Sequence, residues 1–433
     1  MKELSKLITK IYIHFTLRFF WIILVVSFIG MANFSKIKPK PFGDNIFNVE
    51  AKIIANNIRG IEPIQNIKFD HSVIPSLFYV VPALLTDSSY ESKWYLNLAI
   101  IWNMCSFILA IWLYLKAFEL KDNFSKLLFV IFLVIIPYFI YYNLYFSTEP
   151  ISFLLLAILF YLTPKHHEKF TLKKLILTGF VSGLIIANRP NFILFIPVLS
   201  LLIISSKKWS LLIVPLFSLI SLSLVNQFYR FNNDSIGKDK VVFLLEQIHV
   251  GQFFLRAEFT DWSFFNNEYR ENSIDYKSYS QSKEIISNRI VSGISPREAY
   301  LNEIVNQYKL NLLASTVHPI KKFIHGNSIH IGSKVPGKIN ASYLKKNIVT
   351  FGVNIALNII NWLIIGIGLY FLFTYYKEQE ILSIFIISIL LTFNIFNMIS
   401  ASEQRYLFPT KIIYIILVIK FIVRNYSLHL PQN

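Results

Sequence analysis

Residues 94–118 read WYLNLAIIWNMCSFILAIWLYLKAF, and Lys116, near the end, is the only charged residue among them. An α-helix rises about 1.5 Å per residue, so roughly 20 apolar residues cross the hydrocarbon core of a bilayer. The Trp94–Phe118 stretch meets that length. Read outward from it, further apolar runs occur at Phe19–Phe34, Leu127–Tyr142, Ile151–Leu162, Leu175–Ala187, Asn191–Ser205, Trp209–Val225, Phe351–Tyr375, Ile381–Ile399 and Ile412–Val423. The shorter ones suffice where the bilayer thins or flanking residues snorkel. The pattern predicts an all-α polytopic membrane protein with about ten transmembrane helices.

Composition agrees. Of 433 residues 54% are hydrophobic and 16% aromatic, with a mean hydropathy of +0.51, a balance foreign to a water-soluble domain of this length. Lys and Arg number 42 against 25 Asp and Glu, a net charge of +17. That excess belongs in loops and tails beside anionic lipid. It does not point to nucleic acid, because no basic stripe interleaves with exposed aromatics. Cys105 is the one cysteine, which excludes an intrachain disulfide and any multi-cysteine metal site. The Phe19–Phe34 run follows a basic segment but is not closed by a small-residue cleavage pattern, so it is expected to be a retained first span.

Orientation follows from the short loops. With the N-terminus inside, the interior connections hold Lys116, Lys121 and Lys126, then Lys165, Lys169, Lys173 and Lys174, then Lys207 and Lys208, then Lys377. The short exterior connections hold Arg189, then Arg405 and Lys411. Lys36, Lys38 and Lys40 run against this order, so the later loops decide it. Three segments result: an N-terminal transmembrane module, 1–225, with a first exterior loop, 35–93; an exterior subdomain, 226–350; and a C-terminal transmembrane module, 351–433. Ser72–Leu85 is apolar but short and holds Pro75 and Pro82, and is expected to be interfacial or re-entrant. In the exterior subdomain, Ser295-Pro296-Arg297-Glu298 has the form of a helix start. Leu301, Ile304, Tyr308 and Leu312 follow at helical spacing, predicting an amphipathic surface helix that ends near His318-Pro319.

Charges at bilayer depth are costly unless paired or facing a wet cavity, so each one near a span calls for a reason. Asp44, Glu149, Arg189, and Glu403 with Arg405 all fall at the same exterior edge in this topology. Carboxylates and guanidiniums gathered at one edge suit transfer of a group from a lipid phosphate to a hydroxyl. A carboxylate accepts the proton of the attacking hydroxyl, and a cation stabilises the departing phosphate. Arginine fits the second task, since its planar fork holds two phosphate oxygens and keeps its charge in a poorly hydrated site. Purely structural roles stand beside these. Asp44 can cap the following helix, in which Ile46, Val49 and Ile53 recur at helical spacing. Glu149 can meet the dipole of its helix, Arg189 can snorkel to head groups, and Glu403 can be the ion-pair partner of Arg405.

The histidines carry less. Neither His71, beside Asp70, nor the His166–His167 pair has ligand spacing. His318, His325 and His330 lack an accompanying carboxylate pattern. No cofactor and no histidine-bound metal are expected.

With these residues in place, the chain resembles the GT-C superfamily of integral membrane glycosyltransferases, which includes protein O-mannosyltransferases and aminoarabinose transferases. The likeness is an ordered set of short matches. They are Asp44 followed by a helix ending near Asn57-Ile58-Arg59-Gly60, then Thr148-Glu149-Pro150 opening a span, then Gly183 to Arg189-Pro190, and finally Arg405-Tyr406-Leu407-Phe408-Pro409 before the last span. The resemblance implies an exterior-facing site fed from the membrane by a sugar on polyprenyl phosphate. Asp44 would then be the catalytic carboxylate. Arg189 and Arg405 would bind the donor phosphate or shape its pocket, with Glu149 and Glu403 completing the substrate site. Asn45 stands where many members carry a second acidic residue, which leaves dependence on a divalent metal open. The acceptor is a hydroxyl of a glycan, lipid or protein, the other partners are membrane lipids, and no nucleic acid is involved. In a bacterial cell the protein would sit in the inner or plasma membrane with its site towards the periplasm or exterior. A polysaccharide polymerase or ligase, and a lipid-linked-sugar flippase or transporter, are the alternatives.

Overall fold

The computed structural model describes residues 46–61, 73–86, 93–136, 138–143, 148–164, 171–232, 240–253, 274–310, 312–328, 341–376, 380–400 and 404–427, together with the isolated positions 22, 25, 26, 29 and 378. The Phe19–Phe34 run, expected to be a first span, lies largely outside them. Among the described residues the fold is entirely helical. In chain order the helices are α1 (Ile46–Ile58), α2 (Val73–Leu84), α3 (Lys93–Ala117), α4 (Asn123–Ile135), α5 (Tyr138–Asn143), α6 (Thr148–Leu162), α7 (Leu172–Asn188), α8 (Phe195–Ser205), α9 (Ile213–Asn232), α10 (Lys240–Phe253), α11 (Ile274–Val291), α12 (Pro296–Leu310), α13 (Leu312–Asn327), α14 (Ala341–Tyr376), α15 (Glu380–Ile399) and α16 (Gln404–Ser427). Short 3-10 turns at Pro190–Leu194 and Trp209–Leu212 lead into α8 and α9.

Among the described residues, three stretches are long and apolar enough to cross a membrane: Trp94–Ala117, Ile355–Tyr376 and Glu380–Ile399. Apolar helices below that length are Val73–Leu84, Asn123–Leu133, Thr148–Leu162, Phe192–Ser205 and Trp209–Val225. The Leu127–Tyr142 run is two helices, α4 and α5, with Pro137 between them. Proline has no amide proton to donate and its ring crowds the preceding turn. The segment expected to be interfacial is α2, whose 12 residues reach ~18 Å, short of the ~30 Å of hydrocarbon.

The chain divides into two compact units. The first holds Met1–Ser235, Ile364–Ile389 and Pro409–Asn433, and the second holds Ile236–Leu363 and Leu390–Phe408.

In the first unit α3 packs on α6 through aromatic rings at heptad spacing. Phe107 meets Phe153 at 5.4 Å, Tyr114 meets Phe153 at 5.3 Å, and Phe118 meets Phe160 at 5.2 Å between centroids. α7 and α9 approach more closely, because Gly179 and Gly183 stand one turn apart on the facing side. A Cβ at Gly183 would lie 2.5 Å from Ser221 Cβ, and one at Gly179 would lie 2.6 Å from Phe217 Cβ. This is a small-xxx-small contact, which lets two helix backbones approach closely. Ser221 Oγ adds a 3.0 Å hydrogen bond to the Phe180 carbonyl. At the end of α1, Gly60 takes φ +73°, and Ile61 N donates to Asn56 O while Gly60 N donates to Asn57 O. That is a Schellman ending, which needs a residue free to adopt the left-handed region.

In the second unit α10, α11 and α12 enclose a small core of Ile286, Ala299 and Tyr300 with Val242, Leu245 and Ile294 around it. α12 starts where the Ser295-Pro296 signal places it, and Ser295 Oγ accepts from Glu298 N at 3.3 Å. It buries Ala299, Tyr300, Glu303 and Ile304, while Leu301 points out, 51% exposed. The helix expected to run towards His318-Pro319 stops at Leu310, and Pro319 lies inside the next helix, α13.

Candidate functional site

α6 begins and α7 ends at one place in the first unit, and Glu149 and Arg189 meet there. Glu149 lies in the first turn of α6, where the helix dipole favours a carboxylate. Arg189 follows the last residue of α7. Its backbone turns extended, at φ −134° and ψ 97°, ahead of Pro190. Proline disfavours helical geometry in the residue before it, so the Arg-Pro step releases the chain from the helix and turns the Arg189 side chain back over α6. Arg189 Nη2 donates to Glu149 Oε1 at 2.8 Å, with both side chains almost wholly buried. Arg189 Nε donates to Ser152 Oγ at 2.8 Å, and Asn188 Nδ2 donates to the same oxygen at 2.7 Å. Ser152 in turn donates to the Thr148 carbonyl at 2.7 Å. The hydroxyl thus gives one hydrogen bond and takes two, its full capacity.

The burial removes the snorkelling reading of Arg189. It also joins Arg189 to Glu149, two residues that the sequence placed at one edge without pairing. Asn188 and Ser152 complete the cluster. A hydroxyl one turn into an apolar helix gave no signal of its own. Asp44 and Glu403 lie outside the described residues. Arg405 is in the first turn of α16, and its side chain lies outside the description.

A second polar cluster surrounds α1, the helix that begins two residues after Asp44. The apolar spacing of Ile46, Val49 and Ile53 marks one expected face, yet Val49 is 38% exposed while Glu50, Lys52, Asn48 and Asn56 are buried. Ser76 on α2 hydrogen-bonds to the Glu50 carboxylate. Lys52 Nζ donates to Thr86 Oγ1 at 2.8 Å and lies 4.6 Å over the Tyr95 ring, whose hydroxyl donates to Asn48 Oδ1 at 3.1 Å. Arg59 closes the C-terminus of α2, donating from Nη2 to the carbonyls of Ala83 at 3.0 Å and Leu84 at 2.8 Å. α1 alternates polar and apolar residues without a single stripe. A helix of that kind has no one face to bury, and this is the only sign the sequence carried.

The second unit has a polar centre of a different character. His249 Nε2 lies 2.8 Å from Ser282 Oγ, and Ser282 donates to Glu303 Oε1 at 2.8 Å. The hydroxyl has one proton and spends it on Glu303, so the imidazole is the donor to Ser282. Gln307 Nε2 donates to Glu303 Oε1 at 2.9 Å, and Arg289 Nη1 lies 3.1 Å from Oε2. Burial lowers the His249 pKa to about 4; Glu303 opposes that shift and Lys283 adds to it. Ser282 is buried along with its partners, which makes this a joint between α10, α11 and α12, with no nucleophile open to a substrate. Among the described residues no group of three or more His, Cys, Asp or Glu is placed to hold a metal ion.

Fold and composition define a chain that is all-helical among the described residues, with helices suited to crossing a membrane. No family model, curated protein or solved structure matches the chain.

Proposed function

We propose that the protein is a polytopic membrane glycosyltransferase of about ten crossings that moves a sugar from polyprenyl phosphate to an acceptor hydroxyl at the exterior face. The acceptor oxygen attacks the anomeric carbon. Its proton passes to the Asp44 carboxylate, the bond from that carbon to the phosphate oxygen breaks, and polyprenyl phosphate departs with the electron pair. A single displacement of this kind inverts the configuration. Arg189 meets the phosphate, and Glu149 holds Arg189 in position.

The observation that carries this reading is the buried Glu149–Arg189 pair at the meeting ends of α6 and α7. Taking two charges out of water costs several kcal/mol each before their attraction offsets it, and a buried pair is often no more stable than apolar packing. Such a pair in an apolar helical chain is therefore better explained by use than by stability. The order of Asp44, Glu149, Arg189 and Arg405 along the chain supports the same reading.

The test is transfer of radiolabel from lipid-linked sugars to any acceptor, in membranes holding the intact protein, Asp44→Asn or Glu149→Gln at matched abundance. Transfer by the intact protein, loss in Asp44→Asn and weaker transfer in Glu149→Gln are expected. Undiminished transfer in Asp44→Asn removes it as the base, and a polymeric product assigns the ligase reading. Substrate movement across vesicles without any transfer assigns a transporter.

A further inference from the structure

α13 buries polar residues and exposes an apolar stripe, with Lys321 and His325 half-buried beside the stripe and Thr316 exposed. His318, Lys322 and Asn327 are buried, whereas Val317, Ile320 and Ile324 are 55%, 56% and 50% exposed. The exposed three lie at i, i+3 and i+7 and form a single stripe. A helix on the surface of a water-soluble subdomain has the opposite arrangement, with its apolar stripe inward and its polar face in water.

The partners of the polar side set its depth. Asn361 Nδ2 donates to the Asn327 carbonyl at 2.6 Å, and the Trp362 ring lies 6.1 Å from that of Phe323. Both residues belong to the Ile355–Tyr376 stretch of α14 that is suited to crossing a membrane. Asn361 is ~9 Å along the axis from Ile355, at ~1.5 Å per residue. On the other flank Asn327 Nδ2 donates to Asn394 Oδ1 at 2.8 Å, and Asn397 Nδ2 donates to the Lys322 carbonyl at 2.9 Å. Asn394 and Asn397 lie within the apolar stretch Glu380–Ile399. Lys322 Nζ donates to the carbonyls of Gly251 at 2.8 Å and Ser400 at 2.7 Å, so its charge is spent inside the protein. Gly326 lets α13 settle against α15, since a Cβ there would lie 2.2 Å from Asn397 Nδ2. α14 likewise exposes Ile355, Ile359 and Leu363.

We infer that α13 is embedded in one leaflet of the bilayer, with Val317, Ile320 and Ile324 against lipid acyl chains and its polar side sealed on α14 and α15. At 16 residues it reaches ~24 Å, less than the ~30 Å of hydrocarbon, and the ionisable His318 and Lys322 near its middle make a full crossing costly. It enters and leaves from one side. Pro319 within it fits that setting, because helix-interior proline is tolerated where neighbouring helices satisfy the backbone. The segment 226–350 is then only partly outside the membrane. The inference rests on the reading that Ile355–Tyr376 crosses the bilayer.

The test uses the full chain in lipid nanodiscs, carrying Cys105→Ser and one new cysteine labelled with a nitroxide at Ile320, Ile324, Leu363 or Ser287. Collision with oxygen, which partitions into lipid, is compared with collision with a water-soluble nickel chelate. The expected result is a several-fold higher oxygen-to-nickel ratio at Ile320, Ile324 and Leu363 than at exposed Ser287 on α11. Nickel access at Ile320 and Ile324 with Leu363 shielded overturns the placement of α13 alone. Low collision with both reagents at Ile320 and Ile324 also overturns it, because the stripe is then covered by protein. Nickel access at Leu363 overturns the membrane crossing and the inference with it.

Discussion

Arg189 and Glu149 form a buried ion pair, Nη2 to Oε1 at 2.8 Å, at the joint between the end of α7 and the start of α6. Removing one partner strands the other charge in an apolar setting, a loss of about 3–5 kcal/mol, whereas removing both leaves no orphan. Glu149→Ala and Arg189→Ala should each lower the thermal midpoint in detergent sharply. The double variant should lose less than their sum by about 1–3 kcal/mol. Additive losses would show that the two side chains act separately.

The glycine contact between α7 and α9 gives a second expectation. A methyl at Gly183 would lie within 2.6 Å of the Ser218 carbonyl and 2.5 Å of Ser221 Cβ, and backbone cannot swing aside as a side chain can. Gly183→Ala should therefore cost about 1–3 kcal/mol by overpacking. At Gly366 nothing lies within 4 Å, so Gly366→Ala should be neutral or gain up to about 1 kcal/mol from helix propensity. Thermal unfolding of the two variants side by side measures the contrast.

His249 makes stability depend on pH. Burial holds its folded pKa near 4, below the ordinary 6.5, so folding favours the neutral ring. Above pH 6.5 the ring is neutral in both states and the full stability is present. As pH falls from 6.5 towards 4 the unfolded chain takes up a proton that the folded one refuses, and about 3 kcal/mol is lost. Unfolding measured from pH 8 to pH 4 should show this fall. His249→Gln, which can still donate to Ser282, should flatten it; an unchanged slope would assign the dependence to other groups.

Arg59 holds the last carbonyls of α2, those of Ala83 and Leu84. Arg59→Ala should cost about 1–2 kcal/mol and raise amide exchange in the last turn of α2, because these acceptors lose a charged donor. Exchange unchanged there would mean that water replaces the guanidinium without loss.

The helices were legible in the sequence because apolar runs and helix-start residues are local. Trp94–Phe118 corresponds to α3, Ile381–Ile399 to α15, and Ser295-Pro296 to the start of α12. The ending near Gly60 was expected from the family resemblance, and it is likewise local, since a left-handed residue after a helix is a property of the chain itself. Breaks were read less well. Pro319 looked like a terminator, yet α13 continues through it, because whether the lost hydrogen bond matters depends on neighbours that the sequence does not place.

The sequence alone determined that this is an apolar helical chain and that Glu149 and Arg189 lie at helix ends. Only the tertiary structure decided that Arg189 turns inward to Glu149, 40 residues away, that Glu50 and Lys52 are buried, and that α13 faces outward with its apolar side. The reason is physical: helical periodicity is fixed by residues three and four apart, whereas a charge is buried or exposed according to partners dozens of residues distant.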